Sequence, residues 1–184
     1  MMGSNPRLGG NDDEKPVHAV YLDAFWIDKY EVTNAQYKKC VDWGYCVAPQ
    51  KNSSTRDSYY GNPQYESYPV IVSWDQAKNF CTRAGKRLPT EAECEKAARG
   101  TGERIYPWGD TFDKNLVNSL HRGFGDTMPV GSFPNGASPY GVMDMAGNVS
   151  EWVADFYSSD YYNWTLATTL TNKSVTRLRE GARN

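Results

Sequence analysis

The chain alternates between short stretches of strong patterning and long stretches with none. Residues 17–30 (VHAVYLDAFWIDKY) are rich in β-branched and aromatic side chains, which predicts two short strands near 17–22 and 25–30. Three helices are predicted after them, each opened by the same device. Thr33-Asn34-Ala35-Gln36, Ser73-Trp74-Asp75-Gln76 and Thr90-Glu91-Ala92-Glu93 all fit the capping box. In that motif a Ser or Thr and a Gln or Glu three residues on satisfy each other's free backbone donors. A glycine closes each helix: Gly44 after one from Asn34 to about Trp43, Gly85 after one running to Ala84, and Gly100 after the third. Beyond Gly100 the helical signal stops. Residues 104–139 read as irregular chain, punctuated by prolines and glycines from Pro107 to Gly136. Residues 149–156 (VSEWVADF) alternate and predict a further strand. Residues 1–16, the Tyr-rich stretch 47–67 and the chain after Tyr157 are polar and read as loop.

Composition changes this picture in one respect. Hydrophobic residues are 39% of 184, yet aromatics reach 14%, with 13 Tyr and 6 Trp. The mean hydropathy is −0.71. The core must therefore be built from large rings whose OH and NH groups need partners. One domain is expected at this length. The net charge of −2 gives no nucleic-acid surface. No apolar run approaches the roughly 20 residues of a membrane span. The opening Met1-Met2-Gly3-Ser4 leads into polar sequence, so no signal peptide is expected.

Candidate chemistry concentrates in residues 141–152 (GVMDMAGNVSEW). Gly147 allows a backbone turn that a Cβ would resist. Asp144 and Glu151 supply hard oxygens, and the carbonyls between them can point the same way, a donor set suited to Ca²⁺. The same residues also describe a plain turn capped by Asp144 with Trp152 in the core. Of four cysteines, Cys40 and Cys46 flank the end of the first helix, and Gly44 gives the backbone freedom to bring them into disulfide range. A bridge there implies an oxidising, extracytoplasmic compartment; free thiols imply the opposite. Cys81 and Cys94 fall in helices. There is no CxxC pair, and His18 and His121 stand apart, so a zinc site is not expected. Arg87, Glu91 and Glu95 are read as structural: a guanidinium next to the acidic first turn of the third helix can form a charge-assisted fork.

Six motifs occur in order: Met2-Gly3-Ser4; Asp13-Glu14-Lys15-Pro16; Glu31-Val32-Thr33-Asn34; Gly85 to Glu93 (GKRLPTEAE); Pro107-Trp108-Gly109; and Gly147 to Trp152 (GNVSEW). Together they resemble the formylglycine-generating enzyme, or sulfatase-modifying-factor, domain family over residues 2–156. The resemblance implies an α+β architecture of C-type lectin-like type, with three short helices, small antiparallel sheets and much irregular chain. It implies bound calcium, with ligands from Asp144 and Glu151 side chains and the main-chain oxygens of Gly147 and Val149. A second calcium site matches Asn118, Ser119 and Phe124. There Arg122 replaces an expected carboxylate, which predicts that this second site is lost, unless Asp126 substitutes.

Catalytic members of that family hold copper on a cysteine pair near the C-terminus, after an Arg-Gly-Gly-Ser-like segment, and oxidise a substrate cysteine to formylglycine. Here Arg179-Glu180-Gly181-Ala182 resembles a degraded version of that segment, and no cysteine follows Cys94. The resemblance therefore implies one domain over 1–184 that lacks the catalytic segment. No catalytic residue is assigned. The expected activity is a non-catalytic, calcium-binding module for a protein or peptide partner. The alternatives are a copper-dependent formylglycine-generating oxidase whose cysteine segment is missing here, and a diversified lectin-like receptor.

Overall fold

The computed structural model describes residues 1–4, 11–49, 54–56, 58–122 and 125–159. Its helices are α1 (Asn34–Asp42), α2 (Trp74–Arg83) and α3 (Glu91–Arg99). Each starts at its capping box. Thr33 and Gln36 exchange bonds of 3.2 and 2.9 Å, Ser73 and Gln76 bonds of 3.3 and 3.0 Å, and Thr90 and Glu93 bonds of 3.2 and 2.8 Å. Each box satisfies donors that an isolated helix start would leave open. Gly44, Gly85 and Gly100 all adopt positive φ at the ends.

The expected sheets are not there. Among the described residues the only pairing outside helices is three isolated bridges: Met2 with His18, Thr33 with Pro69 and Tyr106 with Gly109. The α+β assignment with small antiparallel sheets, drawn from the lectin-like resemblance, is corrected to three helices joined by irregular chain and short 3-10 turns. The physical reason is that alternation marks extended, half-buried chain but does not supply a ladder partner. Residues 17–30 form no ladder, and Tyr21 (82% exposed), Trp26 (102% exposed) and Tyr30 (44% exposed) show how open that stretch is. Around 149–156, side chains take the place of a ladder. The indoles of Trp152 and Trp74 donate to Val72 O and Val153 O, both at 2.8 Å.

The core lies between α1 and α2. Tyr37 is 1% exposed and packs with Cys40 and Cys46, flanked by Val32, Val70, Val72 and Phe80. Tyr37 stacks on Phe80 with centroids 5.4 Å apart. Its hydroxyl donates to Val47 O at 3.0 Å, and that of Tyr59 donates to Pro69 O at 2.6 Å. The rings thus bury their area without stranding their polar ends. Cys40 and Cys46 are joined as a disulfide with Cα atoms 5.2 Å apart. The bond and the Tyr45 and Cys46 N–H groups, both donating to Cys40 O, fasten the end of α1 to the loop behind it.

A candidate metal turn and its neighbouring loop

Residues 141–152 fold as a tight, irregular turn in which Asp144 (φ 60°) and Asn148 (φ 73°) both take the left-handed conformation. Asp and Asn are the side chains that tolerate it best. Gly147 N donates to Asp144 O at 3.2 Å. A Cβ on Gly147 would collide with Asn118 O and the Val117 side chain, so only glycine allows the turn to lie against residues 117–118. Asp144 Oδ2 accepts from Gly131 N at 2.6 Å, and Met143 N donates to Lys29 O at 2.8 Å.

The turn brings in a residue that the sequence reading left without a role. Asn148 Nδ2 donates to Glu31 Oε2 at 2.7 Å across 117 positions of chain. Glu31 Oε1 is buried with no hydrogen-bond partner among the described residues. Burial pushes Glu31 up to about 8, and the charges of Asp144 and Glu151 add to the rise; the Asn148 amide and the Val149 main chain oppose it. Glu151 is pushed up to about 7 by burial and by Asp144. It is the most solvent-accessible of the three and lines a small cavity with Glu31, Phe80, Cys81 and Trp152. Asp144 is raised by burial against the Gly131 N–H. No described ion pair reaches any of the three. The structure thus places Asp144, Glu151, Gly147 and Val149 in one turn and adds Glu31 to them. The described side chains do not, however, converge three or more on a single metal point. Only the motif Glu31-Val32-Thr33-Asn34 pointed toward Glu31; its local pattern is that of any acid before a helix cap.

The neighbouring loop is built the opposite way. Asn118 is buried, and its amide nitrogen donates to Asp126 O (2.9 Å) and Asn148 Oδ1 (3.0 Å). Ser119 Oγ is buried without a partner among the described residues. Phe124, the third residue of the proposed second calcium site, lies outside the described residues. Asp126 accepts from Ser54 Oγ, Thr55 N and Thr55 Oγ1, and pairs with Arg56 Nη1 at 3.0 Å. Burial raises its carboxyl, but these hydrogen bonds and that of Thr127 outweigh burial and hold it at about 2. Arg56 also stacks on Tyr65 and Tyr68, with its guanidinium carbon 5.4 and 5.1 Å from the ring centroids. Asp126 is fully engaged. Between loop and turn lies a cleft of about 650 Å³ lined by Ile71, Asn118, Ser119, Leu120, Asn148 and Trp152 among others.

The structural acids sort differently from the sequence reading. Arg87 forks onto Glu93 at 2.7 and 2.6 Å, holding the Glu93 carboxyl below its usual range. Glu91 instead donates its main-chain N–H to Asp155 Oδ2 at 2.6 Å, and Glu95 accepts from Gly3 N at 2.9 Å and pairs with Arg99. Cys81 and Cys94 are free thiols. Burial raises both, Cys94 to about 12 with help from Glu151, Glu93, Glu91 and Asp155.

These features define a helix-poor domain whose acidic turn is bonded to Lys29 and Glu31 before the first helix and to residues 118, 128 and 131. Residues 1–183 match the model of the sulfatase-modifying factor enzyme 1-like domain, and the chain belongs to that family. Among similar proteins, the serine/threonine-protein kinase pkn1 of Chlamydia caviae is 37% identical over 174 residues, covering 83% of this chain and 26% of the kinase. The formylglycine-generating enzyme of Thermomonospora curvata is 32% identical over 214 residues, covering 88% of this chain and 70% of that one. The inactive C-alpha-formylglycine-generating enzyme 2 of Bos taurus is 30% identical over 199 residues, covering 82% and 64%. The chain spans about a quarter of the length of the kinases it matches.

Proposed function

We propose that the chain is a calcium-stabilised binding module of the formylglycine-generating enzyme family whose own cysteines do not perform the oxidation. One observation carries the calcium reading: Asp144 and Glu151 share one turn, Glu31 is bonded to that turn through Asn148, all three carboxyls are raised, and no ion pair among the described residues reaches them. A divalent ion would relieve that repulsion, and their hard oxygens, with the carbonyls of Gly147 and Val149, suit calcium's tolerance of irregular oxygen shells. Glu31 Oε1 is buried without a partner among the described residues, but Glu31, Asp144 and Glu151 do not converge as a three-ligand group, so the side-chain ligands of the reading are Asp144 and Glu151. Bound calcium would supply charge neutralisation and a fixed turn.

The non-oxidative reading rests on sulfur chemistry. Cu(I) needs thiolates, and carboxylates or amides do not replace them. Cys40 and Cys46 are bonded to each other, and Cys81 and Cys94 are thiols held protonated at neutral pH. A relative whose name calls it inactive, and a match covering only a quarter of the Chlamydia kinases, both support a module with a protein or peptide partner. The identity to the Thermomonospora curvata enzyme favours the second reading, a copper-dependent oxidase.

One measurement tests the calcium reading and a second separates the module from the oxidase. Calcium should raise the melting temperature and EGTA should reverse the rise, because a ligand of the native state stabilises it by mass action. The chain, given copper, oxygen, reductant and a Cys-x-Pro-x-Arg peptide, should leave the peptide cysteine unconverted by mass spectrometry. Aldehyde formation that disappears on mutating Cys81 or Cys94 would put the oxidase first.

A further inference from the structure

We infer that the loop closing α1 is a docking surface for an acidic, apolar segment of a partner protein, with Trp43 and Tyr45 as anchors and Lys39 and Arg83 as the charged rim. The inference rests on the binding-module reading above, which it deepens, and makes no use of calcium. Trp43, Tyr45 and Val47 are 71, 56 and 66% exposed, while Cys46 between them is buried. Exposed apolar side chains are ordinary when scattered. These three stand on one short loop that is fastened on both sides. The disulfide ties Cys46 to Cys40, and the N–H groups of Tyr45 and Cys46 donate to Cys40 O. The loop's carbonyls are taken by side chains. Asn79 Nδ2 donates to Tyr45 O at 2.9 Å, Gln76 Nε2 to Val47 O and Ala48 O at 3.1 and 3.3 Å, and the Tyr37 hydroxyl to Val47 O at 3.0 Å. Gln76, Asn79 and Arg83 follow one another at helical spacing on α2. The Arg83 guanidinium lies over the Tyr45 ring, 5.6 Å from its centroid. The main chain of the loop is thus engaged in the fold, and its apolar side chains are left to solvent. A surface already ordered in this way loses little freedom on binding, and Trp, Tyr and Arg are the residues that dominate protein interfaces. Charge selects the partner. Asp42 is held by Lys38 at 2.6 Å, whereas no ion pair among the described residues reaches Lys39 or Arg83. Lys39 sits one helical turn before Trp43. The unbalanced charge beside the two rings is therefore positive and favours carboxylates on the partner. A lipid surface fits less well, because Asp42, with its side chain 55% exposed, would have to approach the bilayer together with Trp43.

The test is selection of a displayed random-peptide library on the immobilised chain, with Trp43→Ala run in parallel. Peptides recovered on the wild type should be enriched in apolar residues and in aspartate or glutamate, and should be absent from those recovered on the variant. A synthetic copy of one such peptide should bind in calorimetry and weaken about tenfold or more on Trp43→Ala or Tyr45→Ala. Its affinity should fall as salt rises, and less steeply in Arg83→Gln. The melting temperature should stay close to that of the wild type, since all these side chains are exposed. If Trp43→Ala does not fold, the pair Lys39→Glu and Arg83→Glu leaves both rings in place and should lose the acidic peptides. Basic or uncharged winners overturn the inference. Peptides that bind Trp43→Ala as well as the wild type overturn it too, but leave a binding module whose surface lies elsewhere. A library that yields nothing on the wild type sinks the module reading with it. Vesicles of phosphatidylserine and phosphatidylcholine that pellet the wild type and not Trp43→Ala would assign the loop to a membrane instead. Self-association that the same variant abolishes, read by sedimentation, would assign it to a second copy of the chain.

Discussion

Two acidic loops lie side by side in this domain and are solved in opposite ways. In loop 118–127, Asp126 meets a guanidinium, two hydroxyl-bearing residues and backbone donors, and its carboxyl sits at about 2. Against the turn 141–152, Glu31 is held by the neutral amide of Asn148, no ion pair among the described residues reaches it, Asp144 or Glu151, and Glu31 rises to about 8. The contrast teaches that acid content alone does not mark a metal site. What matters is whether the protein has already balanced the charge. Arg56 does for the loop what, on the reading proposed above, calcium would do for the turn. Arg122, flagged in the sequence as the obstacle to a second calcium, is less telling than Arg56, which no local pattern connected to Asp126.

The comparison can be broken most forcefully at Asp126. Asp126→Ala strips a partner from Arg56, whose ion pair has one side chain only 7% exposed. It should cost about 3–5 kcal/mol, with calcium giving no rescue. Chemical denaturation with and without calcium checks this, and a calcium-dependent loss would place a metal in the wrong loop. Titration sharpens the contrast next. Glu31 has its folded carboxyl raised from 4.5 to about 8, so its contribution is fully present below pH 4.5 and is lost as pH climbs through 8. The melting temperature of metal-free protein should therefore fall from pH 5 to pH 8. With calcium bound the ionised form is the favoured one, so the gap between loaded and metal-free curves should widen over the same range. Glu31→Gln should make the fall shallower and remove its part between about pH 7 and pH 8, leaving the fall that Glu151 gives up to about pH 7; a curve unchanged by that variant would remove Glu31 from the account. The smallest effect calibrates the others. Arg87 is 63% exposed, so although its fork onto Glu93 is short, Arg87→Ala should cost about 1 kcal/mol or less and leave calcium affinity untouched. Lost calcium binding with full stability would reverse that assignment.

The helices were legible because their signals are local. A capping box spans four residues, and all three boxes close as read, from Thr33 to Glu93. The turn was legible for the same reason: Asp144, Gly147 and Glu151 lie within eight positions. What failed was everything requiring a partner at a distance. The pattern at 17–30 predicted strands, but a strand exists only with a second chain segment beside it, and none of the described residues supplies more than an isolated bridge. Arg87 was placed with the right helix turn, yet geometry at the box, where Glu93 points back toward its own cap, decided which acid received the fork. Glu31 was invisible because its meaning depends on Asn148, far down the chain.

The contact between Glu31 and Asn148 has a further consequence, in time rather than in structure. It closes a loop of 117 residues, while Gly3 with Glu95 and Trp74 with Val153 close loops of 92 and 79. Closures of that length are entropically costly and arrive late, in a molecule whose early structure is three short helices. The acidic turn is then expected to assemble late, with little of it formed at the barrier to folding. A cation that binds there has nothing to grip until the chain is nearly complete. Its expected effect is on how slowly the finished protein comes apart rather than on how quickly it forms.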